Sequence, residues 1–308
     1  MSIAIIFDQK NPEPWVKLLE EKLPNTSVEV YPSIKEPEQV TFAVCWKPEK
    51  DALSQFPNLK VVQSIGAGVD HIFKGQQLSD SVQVCRIIDS QLTQDLYEYV
   101  LTGLMSYLRD FPKYFNDQLT KTWKPKRYQT IGQTTVTVLG LGSIGAFIAK
   151  ELAEIGFNVR GWSRNLKKIA GVQTYQQDQL TIALHQSDVL VNVLPLTPDT
   201  EDILNSQTMS LLNPGGYMIN VGRGAHLVEN DLMELIESGQ LSGALLDVFR
   251  TEPLPIQHPF WNHPKITITP HVASITTLTN AVDIAVENWN RHLHRKKLLH
   301  EVSVIQGY

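Results

Sequence analysis

Short β-type runs alternate with helical patterns along the whole 308-residue chain, and this alternation restricts the fold more than any other feature. Strands separated by helix-length crossovers pair in parallel, and a parallel sheet needs helices on both faces to cover it. The early runs are IAIIF (3–7), SVEVY (27–31), FAVCW (42–46), KVVQSI (60–65) and VQVCR (82–86). A later series passes through TVTVLG, FNVRGW, DVLVNVL, GYMINV, SGALLDVF and KITITP. Between the first two runs, NPEPWVKLLEEKL predicts a helix with Asn11 as N-cap and Pro12 at its first position. Its apolar stripe is Trp15, Leu18, Leu19 and Leu23. A longer helix is predicted over about 91–110, apolar on several sides at Leu92, Leu96, Tyr99, Val100 and Leu104, as suits a helix between two bodies. The segment 116–131, with the basic run KTWKPKRYQTIG, reads as a loop, and a last long helix is predicted over about 275–295. The gap between the two βα series predicts two α/β bodies, the second of them the nucleotide binder.

Length and composition agree with this and remove several function classes. The chain is 42% hydrophobic and 19% charged with no biased tract, as in an average globular protein. A formal charge of −5 gives no general attraction for nucleic acid or an anionic membrane, so neither partner is expected and any anion site must be local. Four cations in KTWKPKRY are weak evidence for nucleic acid on such a chain. Cys45 and Cys85 are too few for a disulfide framework or a zinc site and suit a reducing compartment. His292, His294 and His300 do not share a helix face and have no carboxylate cluster beside them, so no metal site is expected. The opening MSIAIIFDQK has an apolar run too short for a signal-peptide core, and no run approaches the roughly 18 residues needed to cross a bilayer. The expectation is a cytoplasmic protein.

Gly140, Gly142 and Gly145 form G-x-G-x-x-G between the strand TVTVL and the helix SIGAFIAKELAEIG. Glycines also occur in ordinary βα turns, but this context is the one a dinucleotide needs. Gly140 permits the tight turn, Gly142 lets backbone approach a pyrophosphate, and Gly145 lets helix and strand pack closely. The helix N-terminus then presents its amides and dipole to the diphosphate. At the end of the next strand, where an acid would accept hydrogen bonds from the adenosine ribose, the chain has Ser163 and Arg164, followed by Lys167 and Lys168. A carboxylate there would repel a 2′-phosphate, whereas Ser163 can hydrogen-bond it and Arg164 can form a charge-assisted pair. Such bonds contribute about 1.5–3 kcal/mol each, roughly a tenfold to hundredfold preference. The cofactor expected is NADP, with NADPH preferred over NADH. Lys167 and Lys168 fit a solvated loop equally well.

Three further strand ends carry local chemistry. MINVGRGAHLVEND places Arg223 between two glycines, LLDVFRTEPLP places Asp247 at a strand end and Glu252 in a proline-braced turn, and ITITPHVASIT places His271 after a strand and a proline. In open α/β sheets ligands lie beyond the carboxyl ends of the strands, where these residues are. Taken singly each has a bland reading: a structural histidine, an arginine paired with Glu229, a glutamate that only forms a turn. SIGAGVD (64–70) also follows a strand, and Gly66 and Gly68 can offer unhindered backbone N–H groups to an anion or simply make a turn. Trp46 closes the strand FAVCW and either walls a substrate pocket or packs in a core.

The combination of G-x-G-x-x-G, PLTPDT, GRG, LDVF..EPLP and TPHVA resembles the D-2-hydroxyacid dehydrogenase family. CWKP, GAGVD, the GWSR strand end and the closing GY are most similar to its glyoxylate/hydroxypyruvate reductase A branch. The resemblance implies two Rossmann-like or flavodoxin-like α/β domains with parallel sheets and an active-site cleft between them. These would be a discontinuous substrate domain, 1–94 plus 276–308, and a dinucleotide-binding domain, 95–275. It implies a catalytic trio of Arg223, Glu252 and His271, with substrate carboxylate on the backbone of Ala67 and Gly68. It places Ser143, Ile144, Leu194, Pro195, Thr200 and Val221 along the cofactor, with Asp247 accepting from the nicotinamide carboxamide. The basic 116–131 region would be part of a homodimer arm. The implied reaction is NADPH-dependent reduction of glyoxylate to glycolate and hydroxypyruvate to D-glycerate. In it His271 is the general acid, Glu252 holds the ring, and Arg223 grips carboxylate and carbonyl oxygens. The same scaffold also serves phosphite oxidation, formate oxidation, against which Glu252 argues, and nucleotide-sensing corepression.

Overall fold

The computed structural model describes every residue except Gln9, Lys74 and 304–308, so the closing GY lies outside the described residues. The chain divides into two compact units, Met1–Gln91 with Thr276–Tyr308, and Leu92–Ile275. In chain order the strands are β1 Ser2–Phe7, β2 Ser27–Val30, β3 Val40–Trp46, β4 Val61–Ser64, β5 Gln83–Cys85, β6 Thr135–Leu139 and β7 Asn158–Trp162. They continue as β8 Val172–Tyr175, β9 Val189–Asn192, β10 Gly216–Asn220, β11 Leu241–Leu246, β12 Ile266–Ile268 and β13 Glu301–Val302.

The first unit is a sheet of order β13-β5-β4-β3-β1-β2, parallel throughout except where β13 adds to β5 in the antiparallel sense. Its first five strands follow the flavodoxin-like order 2-1-3-4-5. The continuous apolar runs of β1 and β3 are explained by burial on both faces. Ile3, Ile5, Phe42 and Val44 pack with Trp289, Val282 and Ala285, whereas Ala4, Ile6, Ala43 and Cys45 pack with Leu53, Phe56 and Ile72. The helix Leu278–Leu293 therefore returns late in the chain to close one face, its Trp289 edge-on to Phe42 with centroids 5.7 Å apart. On the same helix Asn288 is buried and donates to Gln63 Oε1 at 2.7 Å.

The second unit has order β12-β11-β10-β9-β6-β7-β8, all parallel. Counted from β6 this is the doubly wound 3-2-1-4-5-6 order with one strand added, and the chain reverses direction between β6 and β9. Ligands of such sheets sit outside the carboxyl ends at that reversal, where the glycine turn lies.

Several expectations need correction. The first helix runs over Glu13–Lys22, with Pro12 immediately before it and itself at helical dihedrals. Asn11 still caps it, accepting from the Glu13 amide at 3.0 Å. The helix predicted over 91–110 ends at Leu108, since Asp110 turns left-handed at φ +54, and a second helix, Phe111–Leu119, takes in the start of the 116–131 segment read as loop. After it the basic loop folds back, with Lys126 paired to Asp110 at 2.7 Å and Arg109 over the Tyr128 ring. β8 and β13 were not foreseen. β8 is VQTY, with no apolar run, and β13 is only the pair EV, so neither gives a periodic signal.

Candidate active site

The three fingerprint glycines have three different local environments. Gly140, directly after β6, has φ +99, a conformation that side chains rarely adopt. Gly145 lies in the helix Ser143–Glu154, and a Cβ there would overlap the carbonyl oxygen of Gly140, so helix and turn touch backbone to backbone. Gly142 is the N-cap of that helix and has nothing within 4 Å of its would-be Cβ. Packing explains the first and third glycine. The second faces open space at a helix N-terminus, where Ser143 and Ile144 begin the helix, and this is the cradle that a pyrophosphate needs.

Ser163 follows β7 and is buried, its hydroxyl donating to the Asn165 carbonyl at 2.8 Å. The Arg164 guanidinium lies 3.8 Å from Asp199 Oδ2, and Lys167 and Lys168 are exposed. Asp199 belongs to the loop after β9 that also carries Leu194, Pro195 and Thr200. There the Thr200 hydroxyl donates to Pro195 O at 2.8 Å and accepts from the Thr197 amide at 2.8 Å, which shapes the loop from within.

Arg223, Glu252 and His271 lie on the carboxyl side of β10, β11 and β12, three neighbouring strands. Val221 and Gly222 lead from β10 to Arg223, whose guanidinium donates to Gly222 O at 2.8 Å. A Cβ at Gly224 would overlap the backbone of Phe249 and Arg250, so the arginine and glutamate segments are in direct backbone contact. Arg250 reinforces the junction, donating to Leu227 O at 2.9 Å and Ala225 O at 3.2 Å and pairing with Asp202. His271 Nδ1 is 3.0 Å from Glu252 Oε2, while Glu252 Oε1 accepts from the Phe249 amide at 3.1 Å. With Nδ1 committed to the carboxylate, ring geometry turns Nε2 outward, and the side chain is 40% exposed.

Asp247 has a role that the sequence did not reveal. It is 1% exposed, and its carboxylate accepts from Thr269 Oγ1 at 2.6 Å, the Val272 amide at 2.8 Å and the Ala273 amide at 2.9 Å. Its own carbonyl accepts from the His271 amide at 2.9 Å. These bonds hold His271 at φ +55, a left-handed backbone that is uncommon outside glycine. Tyr99 supports the same turn, its hydroxyl 2.5 Å from Thr269 Oγ1.

In the first unit, the turn after β4 is tied by Ser64, whose hydroxyl donates to Gly68 O at 2.9 Å and accepts from the Gly66 amide at 3.2 Å. Among the described residues no hydrogen bond uses the amides of Ala67 or Gly68. The Trp46 ring lies over Gly66, against which a Cβ would stand at 2.9 Å. It also lies tilted against the His71 ring, with centroids 4.7 Å apart, and carries the Lys10 ammonium at 5.2 Å. Cys45 and Cys85 are buried thiols, the latter pushed up to about 12 chiefly by burial, which disqualifies it as a nucleophile. Of the three histidines near the C-terminal end, His294 caps its helix, Nδ1 to Asn290 O at 2.7 Å. Among the described residues no group of three or more His, Cys, Asp or Glu could hold a metal, and no helix is long and apolar enough to cross a membrane.

Residues 101–273 match the family model described as D-isomer specific 2-hydroxyacid dehydrogenase, NAD binding domain. The chain belongs to the D-2-hydroxyacid dehydrogenase family. It is 41% identical over 295 residues to glyoxylate/hydroxypyruvate reductase A of Serratia proteamaculans (strain 568), with 94% of each chain covered. Among solved structures it resembles a D-isomer specific 2-hydroxyacid dehydrogenase of Xanthobacter autotrophicus Py2 in complex with NADPH and MES. That match has TM-score 0.93 and 34% identity and covers 100% of this chain and 99% of that one. It also resembles the NADPH-dependent glyoxylate/hydroxypyruvate reductase of Sinorhizobium meliloti in complex with NADP and sulfate, with TM-score 0.91, 35% identity and 100% of both chains covered. As a D-2-hydroxyacid dehydrogenase the chain is an oxidoreductase of two-domain Rossmann type. The second unit supplies its dinucleotide-binding fold.

Proposed function

We propose that this dehydrogenase reduces small 2-keto acids, glyoxylate to glycolate and hydroxypyruvate to D-glycerate, with NADPH as reductant. The observation that carries the reading is the His271–Glu252 pair, held at 3.0 Å with Nε2 turned outward on a strained, braced turn. The cofactor, when bound, supplies a hydride to the carbonyl carbon. His271 then donates a proton from Nε2 to the carbonyl oxygen, and Glu252 holds the ring and balances its charge. Arg223 orients the substrate carboxylate and offsets charge gathering on the oxygen. The open amides of Ala67 and Gly68 receive the carboxylate, and Trp46 walls the substrate side. Relatives whose names specify glyoxylate and hydroxypyruvate support this substrate class.

For the cofactor, Ser163 and Arg164 take the place of the ribose-binding acid, and solved relatives hold NADPH and NADP. Arg164 directly follows Ser163 after β7, and its guanidinium lies 3.8 Å from Asp199 Oδ2. Steady-state assays with glyoxylate, hydroxypyruvate, pyruvate and phenylpyruvate should show highest kcat/KM for the first two. NADPH should be preferred over NADH, and Arg164→Ala should lower that preference roughly tenfold to hundredfold. Equal use of both cofactors by the parent enzyme would sink the cofactor reading.

Gly142→Ser tests the cradle separately. Serine is a good N-cap and nothing stands within 4 Å, so the melting temperature without cofactor should be unchanged. The added hydroxymethyl group should weaken NADPH binding by about tenfold, as read by fluorescence titration. Unchanged affinity would mean the pyrophosphate lies elsewhere.

The homodimer reading rests on the segment after Asp110. Phe115, Leu119, Trp123 and Tyr128 are exposed there, Trp123 at 98%, and a second copy of the chain would cover them. We place the enzyme in the cytoplasm because its two buried cysteines remain thiols.

A further inference from the structure

Behind the active site, β9 and β10 end side by side in Asn192 and Asn220, and His226 fills the space between their ends. All three are fully buried. Asn192 Nδ2 donates to Asn220 Oδ1 and to His226 Nδ1, both at 2.9 Å, and Asn192 Oδ1 accepts from the Leu194 amide at 3.3 Å. Asn220 Oδ1 also accepts from the Gly222 amide at 3.1 Å, and Asn220 Nδ2 donates to Arg223 O at 3.1 Å. The Arg223 amide donates to His226 Nδ1 at 3.0 Å, and at the far side of the ring Nε2 lies 3.2 Å from Pro195 O.

A backbone amide only donates and a carbonyl only accepts, so the hydrogen must be on Nε2 and Nδ1 must be the acceptor. One neutral imidazole thereby bridges two loops. On one side it fixes the Arg223 backbone, whose N–H it receives while Asn220 Nδ2 and the His226 amide hold the carbonyl. On the other it holds Pro195, in the loop whose Val193 and Leu194 backbone would stand 3.1 Å from a Cβ placed on the first fingerprint glycine. An apolar side chain of equal size would fill the volume. It would leave the Arg223 amide and an Asn192 hydrogen without their acceptor and take from the Pro195 carbonyl the second of its two donors, the Thr200 hydroxyl being the other.

We propose that His226 is a positioning residue for the reduction: it sets the backbone from which Arg223 reaches substrate and ties that setting to the dinucleotide loop. This rests on the reading of Arg223 given above.

Two conservative replacements separate the arms. His226→Asn puts an amide oxygen near the Nδ1 position and keeps an acceptor for the Arg223 amide, but it cannot reach Pro195. His226→Gln puts an amide nitrogen near the Nε2 position and keeps the Pro195 bond, but it abandons the Arg223 amide. With saturating NADPH and varied glyoxylate, His226→Gln should lower kcat/KM for glyoxylate by about tenfold to hundredfold while the KM for NADPH stays within about threefold. His226→Asn should show the reverse pattern, with glyoxylate kcat/KM nearly kept and the KM for NADPH raised by about tenfold. Should His226→Gln fail to fold, Asn220→Ser removes the side-chain donor to the Arg223 carbonyl, leaves it only the His226 amide at 3.2 Å, and carries the same expectation as His226→Gln. Equal losses in both parameters, or losses that follow melting temperature alone, would overturn the proposal and leave His226 a structural residue. Arg223→Lys, assayed beside them, separates the two layers. Parental turnover in that variant would remove the arginine reading itself. A dead Arg223→Lys with an unimpaired His226→Gln would remove only the inference about His226.

Discussion

Replacing His271 by glutamine should lower kcat for glyoxylate reduction by about 10²–10⁴-fold while NADPH still binds with parental affinity. Glutamine retains a group that can hydrogen-bond a carbonyl oxygen but has no proton to deliver, so the loss isolates proton transfer from orientation. The side chain is 40% exposed, and its backbone is fixed by bonds from its own amide to Asp247 O and Thr269 O, so the variant should fold normally. Glu252→Gln should cost less than His271→Gln, because an amide oxygen can still accept from Nδ1 although the charge is gone. Burst and steady-state measurements on both variants, with cofactor titrations as control, check this. Retention of turnover within tenfold by His271→Gln would require another acid.

Gly224→Ala should damage both stability and activity. A methyl group at that position overlaps the Phe249 carbonyl and the Arg250 amide nitrogen, which are backbone atoms that cannot rotate away. We expect a destabilisation of about 3 kcal/mol, near the upper end for overpacking. Thermal melts should show the midpoint lowered by roughly 6–12 °C. In the fraction that remains folded, kcat/KM should fall by more than tenfold, because the arginine and glutamate segments are pushed apart at the point where they meet. The Gly142→Ser variant is the internal contrast, since both glycines sit in motifs but only Gly224 has neighbours in contact. A Gly224→Ala protein with parental melting and turnover would show that the junction yields without cost.

These two outcomes depend on features of unequal visibility in the sequence. The strands with long apolar runs were legible because burial on both faces removes polar positions, as in β1, β3 and β9. The glycine turn after β6 was legible because steric need leaves a fixed spacing. β8 was not, since VQTY has neither an apolar run nor a clean alternation of burial, and the break at Asp110 was not, since a left-handed aspartate carries no punctuation in sequence. Arg223, Glu252 and His271 stood out by motif, yet their mutual support did not. Asp247 supports His271 from 24 residues away, and His226 joins the ends of strands whose adjacency is a property of the sheet order. Hydrogen-bond partners chosen by tertiary neighbourhood leave no periodic trace.

The placement of the helix Leu278–Leu293 has a consequence for how the molecule is made. The face of the first sheet bearing Phe42 and Val44 is completed by Val282, Ala285 and Trp289, and its edge by β13, all encoded after the whole second unit. On a ribosome emitting about 5–20 residues per second, the amino-terminal sheet spends many seconds with that face uncovered. The contiguous second unit meanwhile already has its entire set of strands. The earliest-synthesised part of the enzyme is thus the last to be completed, and it is the part a nascent-chain chaperone would have most reason to shield.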